Sequence, residues 1–328
     1  MTASMTRVEH QKGINAVKPH ALSRNAQVGI FAPASPAEDE RIQQGLAELR
    51  NLGFLPVDSF TRDAQAYFSA PAEERLRHFL SLLQDSKIEA LIGLRGGYGS
   101  NYMLDALWSM QSMDAKCILG YSDITSLQIL LWQKFHWAGF YGPMVAAAFD
   151  AGPNTAKGYD RASLDAALFG EKKSWRVALG GEAMVQGFAE GIVLGGCLTL
   201  VETSLGTPWE LDTTGCVLLL EDRGMKPWQI DRALMHLIQA GKFRGVRGIV
   251  LGEFPDCEPP VAGSPDARGV CERLLKPLGV PIVYGAAVGH TPRPMLTIPL
   301  GVRAKLSAEG SGALDFLEGA VTPREQDQ

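Results

Sequence analysis

Four short segments carry residue types that could do chemistry together. In KCILGYSDIT, Ser122 stands where an apolar strand gives way to a helix, with Gly120 two residues earlier. A sharp turn there exposes a hydroxyl nucleophile and aims the next backbone N–H at a developing oxyanion, although the second glycine of GxSxG is missing. Ser122 or Asp123 acting only as a cap for the following helix fits the same spacing. In YGAAVGHTPRPM, His290 follows an apolar strand and a glycine, in a loop stiffened by Pro292 and Pro294, where a general base belongs. A lone histidine is more often structural or solvated. CVLLLED ends a strand in Glu221 and Asp222; a carboxylate at a strand end can orient an imidazole, or simply pair with Arg223. RGGYGS, Arg95 to Ser100, links a strand to a helix through glycines that let backbone amides approach a ligand, which would supply the other half of an oxyanion hole. It lacks the full GxGxxG and GxxxxGK[ST] patterns of dinucleotide and phosphate sites, and a tight structural turn is the alternative.

These residues need a scaffold that brings strand ends together. From Gln27 to about Met144 apolar runs such as VGIFA, IEALIGL and KCILGYS alternate with amphipathic stretches such as ERIQQGLAELRNLG and PAEERLRHFLSLLQ. That rhythm predicts an α/β fold with a doubly wound, mostly parallel sheet covered on both faces and catalytic groups at the carboxyl ends of its strands. The pattern divides the chain into a flexible tail (1–26), an N-terminal α/β domain carrying the nucleophile (27–150), a linker (151–180) that includes the charged Glu171, Lys172 and Lys173, and a C-terminal α/β domain with mixed strands carrying Glu221 and His290 (181–324), the site lying at their interface. The runs MLTIPLG, RAKLSAE and ALDFLEG read as short antiparallel strands at an edge.

A length of 328 residues is more than one core usually spans, which favours two domains of roughly 150 residues. Hydrophobic residues at 46% and charged residues at 20% belong to a folded chain. A net charge of -5 without a basic block argues against nucleic acid or an anionic membrane as partner and for a small ligand. Five cysteines without a CxxC favour a reducing compartment, and the N-terminus lacks a signal-peptide pattern, so the protein is read as cytoplasmic. Six histidines show no metal-ligand spacing, and no metal is expected.

Taken together, RGGYGS, GYSDIT, YGPM, LGGCLTL, GTPWELD, LLLEDRG with WQIDRAL, and GHTPRPMLTIPLG resemble the LD-carboxypeptidase family, the muramoyltetrapeptide carboxypeptidases, in order and spacing from about Val28 to Leu306. The resemblance implies Ser122 as nucleophile, Glu221 as triad carboxylate and His290 as base, with the backbone amides of Gly97 and Asp123 as oxyanion hole. It implies acyl transfer without metal or organic cofactor, on a murein tetrapeptide cut before its terminal D-alanine, and a homodimer. Arg95, Tyr98, Arg232 and Arg293 are candidates for contacting the substrate, an arginine serving its free carboxylate. Two positions depart from the family pattern: Cys197 where LGGCL is expected to read GGN, and Met225 where an acidic residue often follows the glycine of EDRG. The alternative within the family is a microcin-immunity-type peptidase acting on peptidyl or aminoacyl nucleotides, for which Trp209 or Trp228 would stack on the base. A catalytically silent two-domain binding protein is the reading from a different class.

Overall fold

The computed structural model describes residues 15–111, 113–170 and 174–324. The charged Glu171, Lys172 and Lys173 and the first 14 residues of the expected tail, His10 among them, lie outside the described residues. The first sheet contains β1 (Gln27–Phe31), β2 (Leu55–Val57), β3 (Ile88–Gly93), β4 (Cys117–Gly120) and β5 (Gly139–Tyr141), all parallel, in the order β5-β4-β3-β1-β2. Between them run α1 (Asp39–Asn51), α2 (Ala72–Gln84), α3 (Leu104–Ser109) and α4 (Thr125–Phe135). This is the alternation the sequence predicts; β1, β3, β4 and β5 are buried as parallel strands between helices must be, while β2 at the edge is partly exposed.

Residues 151–180 hold more than a connection. Asp160 caps α5 (Arg161–Leu168) by accepting the Ser163 N–H at 2.7 Å, and Leu164, Ala167 and Leu168 bury its inner face. β6 (Trp175–Ala178) alternates buried and exposed residues and forms an edge of the second sheet. β7 (Glu182–Val185), β8 (Gly187–Cys197), α6 (Leu198–Thr203), β9 (Cys216–Glu221), α7 (Pro227–Gln239), β10 (Gly248–Leu251), α8 (Ala267–Leu275) and β11 (Ile282–Tyr284) follow. β8, β9, β10 and β11 are parallel neighbours, with β7 antiparallel to β11.

The three terminal runs are antiparallel strands, but they do not share an edge. β12 (Ile298–Leu300) returns to the first sheet and pairs with β5. β13 (Arg303–Ala308) and β14 (Ala313–Phe316) lie inside the second, whose order is β6-β14-β13-β8-β9-β10-β11-β7. β6, from the expected linker, covers β14 and makes the edge. Residues 15–26 also correct the flexible-tail expectation: Val17 bridges Trp137, His20 bridges Thr322, and Ala21, Leu22 and Ala26 are buried. Their apolar side chains are spaced too irregularly to announce an element, yet they have a surface to cover.

α4 explains how the two sheets share one site. Thr125 through Trp132 are all buried; Leu127, Leu130 and Leu131 join one apolar cluster, while Ile129 and Trp132 join the other. A helix apolar on all sides must be enclosed, and this one begins three residues after Ser122, so the packing of both sheets fixes where that residue sits.

Candidate active site

Ser122 follows β4 with a backbone φ of 60°, in the left-handed region that a residue with a Cβ enters at a cost. Such an outlier between strand and helix has the backbone shape that the expected nucleophile turn requires. The helix-cap alternative does not hold, since neither Tyr121 nor Ile124 at the cap positions makes a side-chain cap bond and the Asp123 carboxylate points elsewhere. Asp123, almost fully buried, accepts the Ser100 N–H at 2.8 Å and the Ser100 hydroxyl at 2.5 Å. Burial outweighs those bonds and the neighbouring Arg75 charge, and raises its pKa. The carboxylate therefore clasps the RGGYGS turn against the serine turn. The approach is close: a Cβ on Gly96 would lie 2.7 Å from the Ser122 Cβ and 2.8 Å from its Oγ.

Glu221 is the last residue of β9 and is 0% exposed. It does not pair with Arg223, whose guanidinium reaches Asp256 instead. Glu221 accepts the backbone N–H of His290 at 2.8 Å, stands 2.9 Å from His290 Nδ1, and accepts the Tyr141 hydroxyl at 2.5 Å. Gly289, at φ 59°, lets the histidine loop turn this tightly; a Cβ there would lie 2.3 Å from the Glu221 Cδ. Burial alone would drive both groups neutral. Against it, the paired charges and hydrogen bonds prevail, so Glu221 sits below the ordinary 4.5 and His290 above the ordinary 6.5. The Tyr121 ring stands edge-on to the imidazole, centroids 5.0 Å apart.

Ser122 and His290 line one cavity of about 1010 Å³, together with Gly97, Arg95, Arg41, Lys157 and Cys197. Asp222, beside Glu221, also reaches this cavity; it accepts the N–H and hydroxyl of Thr199 at 2.9 and 2.7 Å and receives the Cys197 thiol at 3.4 Å. Burial, with the Asp222 charge next, pushes the Cys197 thiol well above its ordinary pKa. Cys197 therefore stays a neutral thiol.

The sequence matches the family models for the LD-carboxypeptidase N-terminal domain over residues 28–142 and the C-terminal domain over residues 190–306. It is 34% identical over 307 residues to a putative carboxypeptidase of Streptomyces coelicolor, covering 91% of this chain and 96% of that one. The chain belongs to the LD-carboxypeptidase family. A probable murein peptide carboxypeptidase of Bacillus subtilis is 30% identical over 93% of this chain and 97% of its own. Among solved structures, the muramoyltetrapeptide carboxypeptidase of Oxalobacter formigenes superposes with a TM-score of 0.79 at 26% identity, covering 90% of this chain and 100% of that one. The microcin C7 self-immunity protein bound to glutamyl sulfamoyl guanosine gives 0.82 at 22% identity, over 93% and 100%, a likeness of fold. Membership of this family of serine-type carboxypeptidases makes the chain a peptidase.

Of the residues nominated as substrate contacts in this LD-carboxypeptidase relative, only Arg95 lines the cavity, one of its Nη groups donating to the Pro36 carbonyl at 3.0 Å. Tyr98 is exposed in an aromatic group with Tyr67, Phe68 and Tyr102. Arg232 lies over the Trp228 ring at 5.3 Å, and Arg293 is spent on the carbonyls of Gly180 and Gly285. Neither Trp209, which packs beside Trp108, nor Trp228 lines the cavity. Sequence reasoning missed Arg41, which pairs with Asp150 at 2.6 Å, and Lys157. Lys157 carried one readable signal, its place in a glycine- and proline-rich turn; the structure ties that turn to the histidine loop through the Lys157 N–H and the Pro292 carbonyl at 3.0 Å.

Proposed function

We propose that this protein is a cytoplasmic serine LD-carboxypeptidase that releases the terminal D-alanine of a murein tetrapeptide. The observation that carries the reading is His290, held by the buried Glu221, lining the same cavity as a serine in a left-handed turn. Ser122 attacks the peptide carbonyl while His290 Nε2 takes its proton; Glu221, bonded to Nδ1, fixes the tautomer and stabilises the imidazolium. The tetrahedral oxyanion forms between the backbone N–H groups of Gly97 and Asp123, each donor lowering the barrier by about 3 kcal/mol. His290 then protonates the leaving D-alanine amine, the acyl ester remains on Ser122, and a water deprotonated by His290 releases the shortened peptide.

The free carboxylate of the substrate goes to the cationic wall of Arg95 and Lys157. Of the other two cavity cations, Arg41 is paired with Asp150 and Arg223 with Asp256. Five free cysteines, all buried, agree with a reducing compartment. A nucleotide conjugate has less support, because no tryptophan is among the residues lining the cavity and the aromatic contribution there is Tyr121. Incubation with a murein tetrapeptide and, separately, an aminoacyl sulfamoyl nucleoside separates the two activities. Mass spectrometry is expected to find free D-alanine from the first and the second intact; cleavage of the nucleoside alone would overturn the substrate assignment.

A further inference from the structure

YGPM is among the segments that mark the family, and the reaction as described leaves it without a task. Its Tyr141 ends β5 in the first sheet, fully buried, and its hydroxyl meets groups from both sheets. The hydroxyl donates to Glu221 Oε1 at 2.5 Å and accepts the Ser122 N–H at 3.4 Å. Thr125, in the helix that follows the serine turn, accepts the Cys197 N–H on its Oγ1 at 3.2 Å. The two bonds of the hydroxyl run in one direction, from the Ser122 amide through Tyr141 to the carboxylate, so one polarises the other. A buried ring needs only apolar neighbours. A buried hydroxyl costs free energy unless it is bonded, and this one is bonded to the turn carrying the nucleophile and to the group that orients the base.

We propose that Tyr141 is a positioning residue of the reaction, its hydroxyl tying the nucleophile's backbone amide to the carboxylate behind His290 so that groups carried on two sheets keep one geometry. The inference rests on the serine-peptidase reading above. Burial, followed by the Glu221 charge, raises the phenol far above its ordinary pKa, and it acts throughout as a neutral donor. By donating to Glu221 it also withdraws part of the negative field that His290 feels. Besides Glu221, the charged groups facing His290 are Asp222 and Arg223, with the Tyr121 ring alongside, and Tyr141→Phe leaves all of them in place.

The test is the pH dependence of Ser122 labelling by a fluorophosphonate, read by mass spectrometry on wild type and Tyr141→Phe, with melting curves to verify folding. Tyr141→Phe is expected to label about 10- to 100-fold more slowly, the loss of one hydrogen bond to a charged group. Its acid limb is expected to move to higher pH, because the unshielded carboxylate holds the imidazole proton more firmly. 3-Fluorotyrosine at position 141 keeps the shape with a stronger donor, supplies the test should Tyr141→Phe not fold, and is expected to move the limb to lower pH. An unchanged acid limb in folded variants, whether labelling slows or not, would overturn the proposal while leaving Ser122 as nucleophile. Failure of the wild type to label at Ser122 would overturn the serine-peptidase reading, and the proposal with it.

Discussion

Glu221→Gln changes one atom of the site in a place where nothing can rearrange around it. The carboxylate is wholly buried and accepts from His290 Nδ1, the His290 backbone and Tyr141. An amide retains one accepting oxygen and turns the other position into a donor. If that NH₂ faces Nδ1, the imidazole must carry its proton on Nε2, the atom that has to accept the proton of Ser122. By analogy with the loss of a triad carboxylate, the plateau of kcat/KM should drop about 10⁴-fold, or about 5.4 kcal/mol at 1.36 kcal/mol per tenfold. The pH profile adds a second signature. The Glu221 charge holds His290 above the ordinary 6.5, whereas burial pulls the other way. In the wild type the acid limb of kcat/KM therefore lies above pH 6.5; in Glu221→Gln burial is opposed only by the more distant Asp222 charge, Arg223 adds to it, and the limb moves to lower pH. D-alanine release from a murein tetrapeptide, followed by mass spectrometry from pH 4 to 9, reads both. A limb that stays in place, or a plateau loss of less than about tenfold, would refute the reasoning.

The same pair makes stability depend on pH. Glu221, lowered below 4.5, contributes stability that is present above its unfolded pKa and lost as pH falls through the folded one; His290, raised above 6.5, contributes below its unfolded pKa and loses it as pH rises through the folded one. Melting curves should show the gap between wild type and Glu221→Gln widest between pH 4.5 and 6.5, narrowing on either side. Ser122→Gly removes the left-handed strain at φ 60° and should stabilise the protein by about 1 kcal/mol in urea titration while abolishing turnover. Gly96→Ala presses a methyl against the Ser122 Cβ and Oγ; kcat should fall about 100-fold, with circular dichroism unchanged.

The alternation of apolar strands and amphipathic helices made the first sheet legible, because a parallel sheet needs both. The serine turn, the β9 carboxylate and the histidine loop were legible as strand-end residues and became a set through the family motifs. What the sequence concealed is what joins them. Tyr141 and Glu221 lie 80 residues apart, and nothing local in YGPM reveals that its hydroxyl faces a carboxylate on another sheet. A cap role for Asp123 stayed open beside the nucleophile turn because capping is its commonest local use, and its actual side-chain partner, Ser100, comes from a different loop. Arg293 and Arg232 were nominated by motif proximity, yet backbone carbonyls and an indole ring occupy them. The return of β12 to the first sheet escaped notice because a short apolar run satisfies either sheet equally well.

Whether Ser122 carries the hydrolysis is decided by D-alanine release from a murein tetrapeptide, compared between wild type and Ser122→Ala. Release is expected from the wild type and none above background from a folded Ser122→Ala. Release by both at similar rates, or by neither, would contradict it.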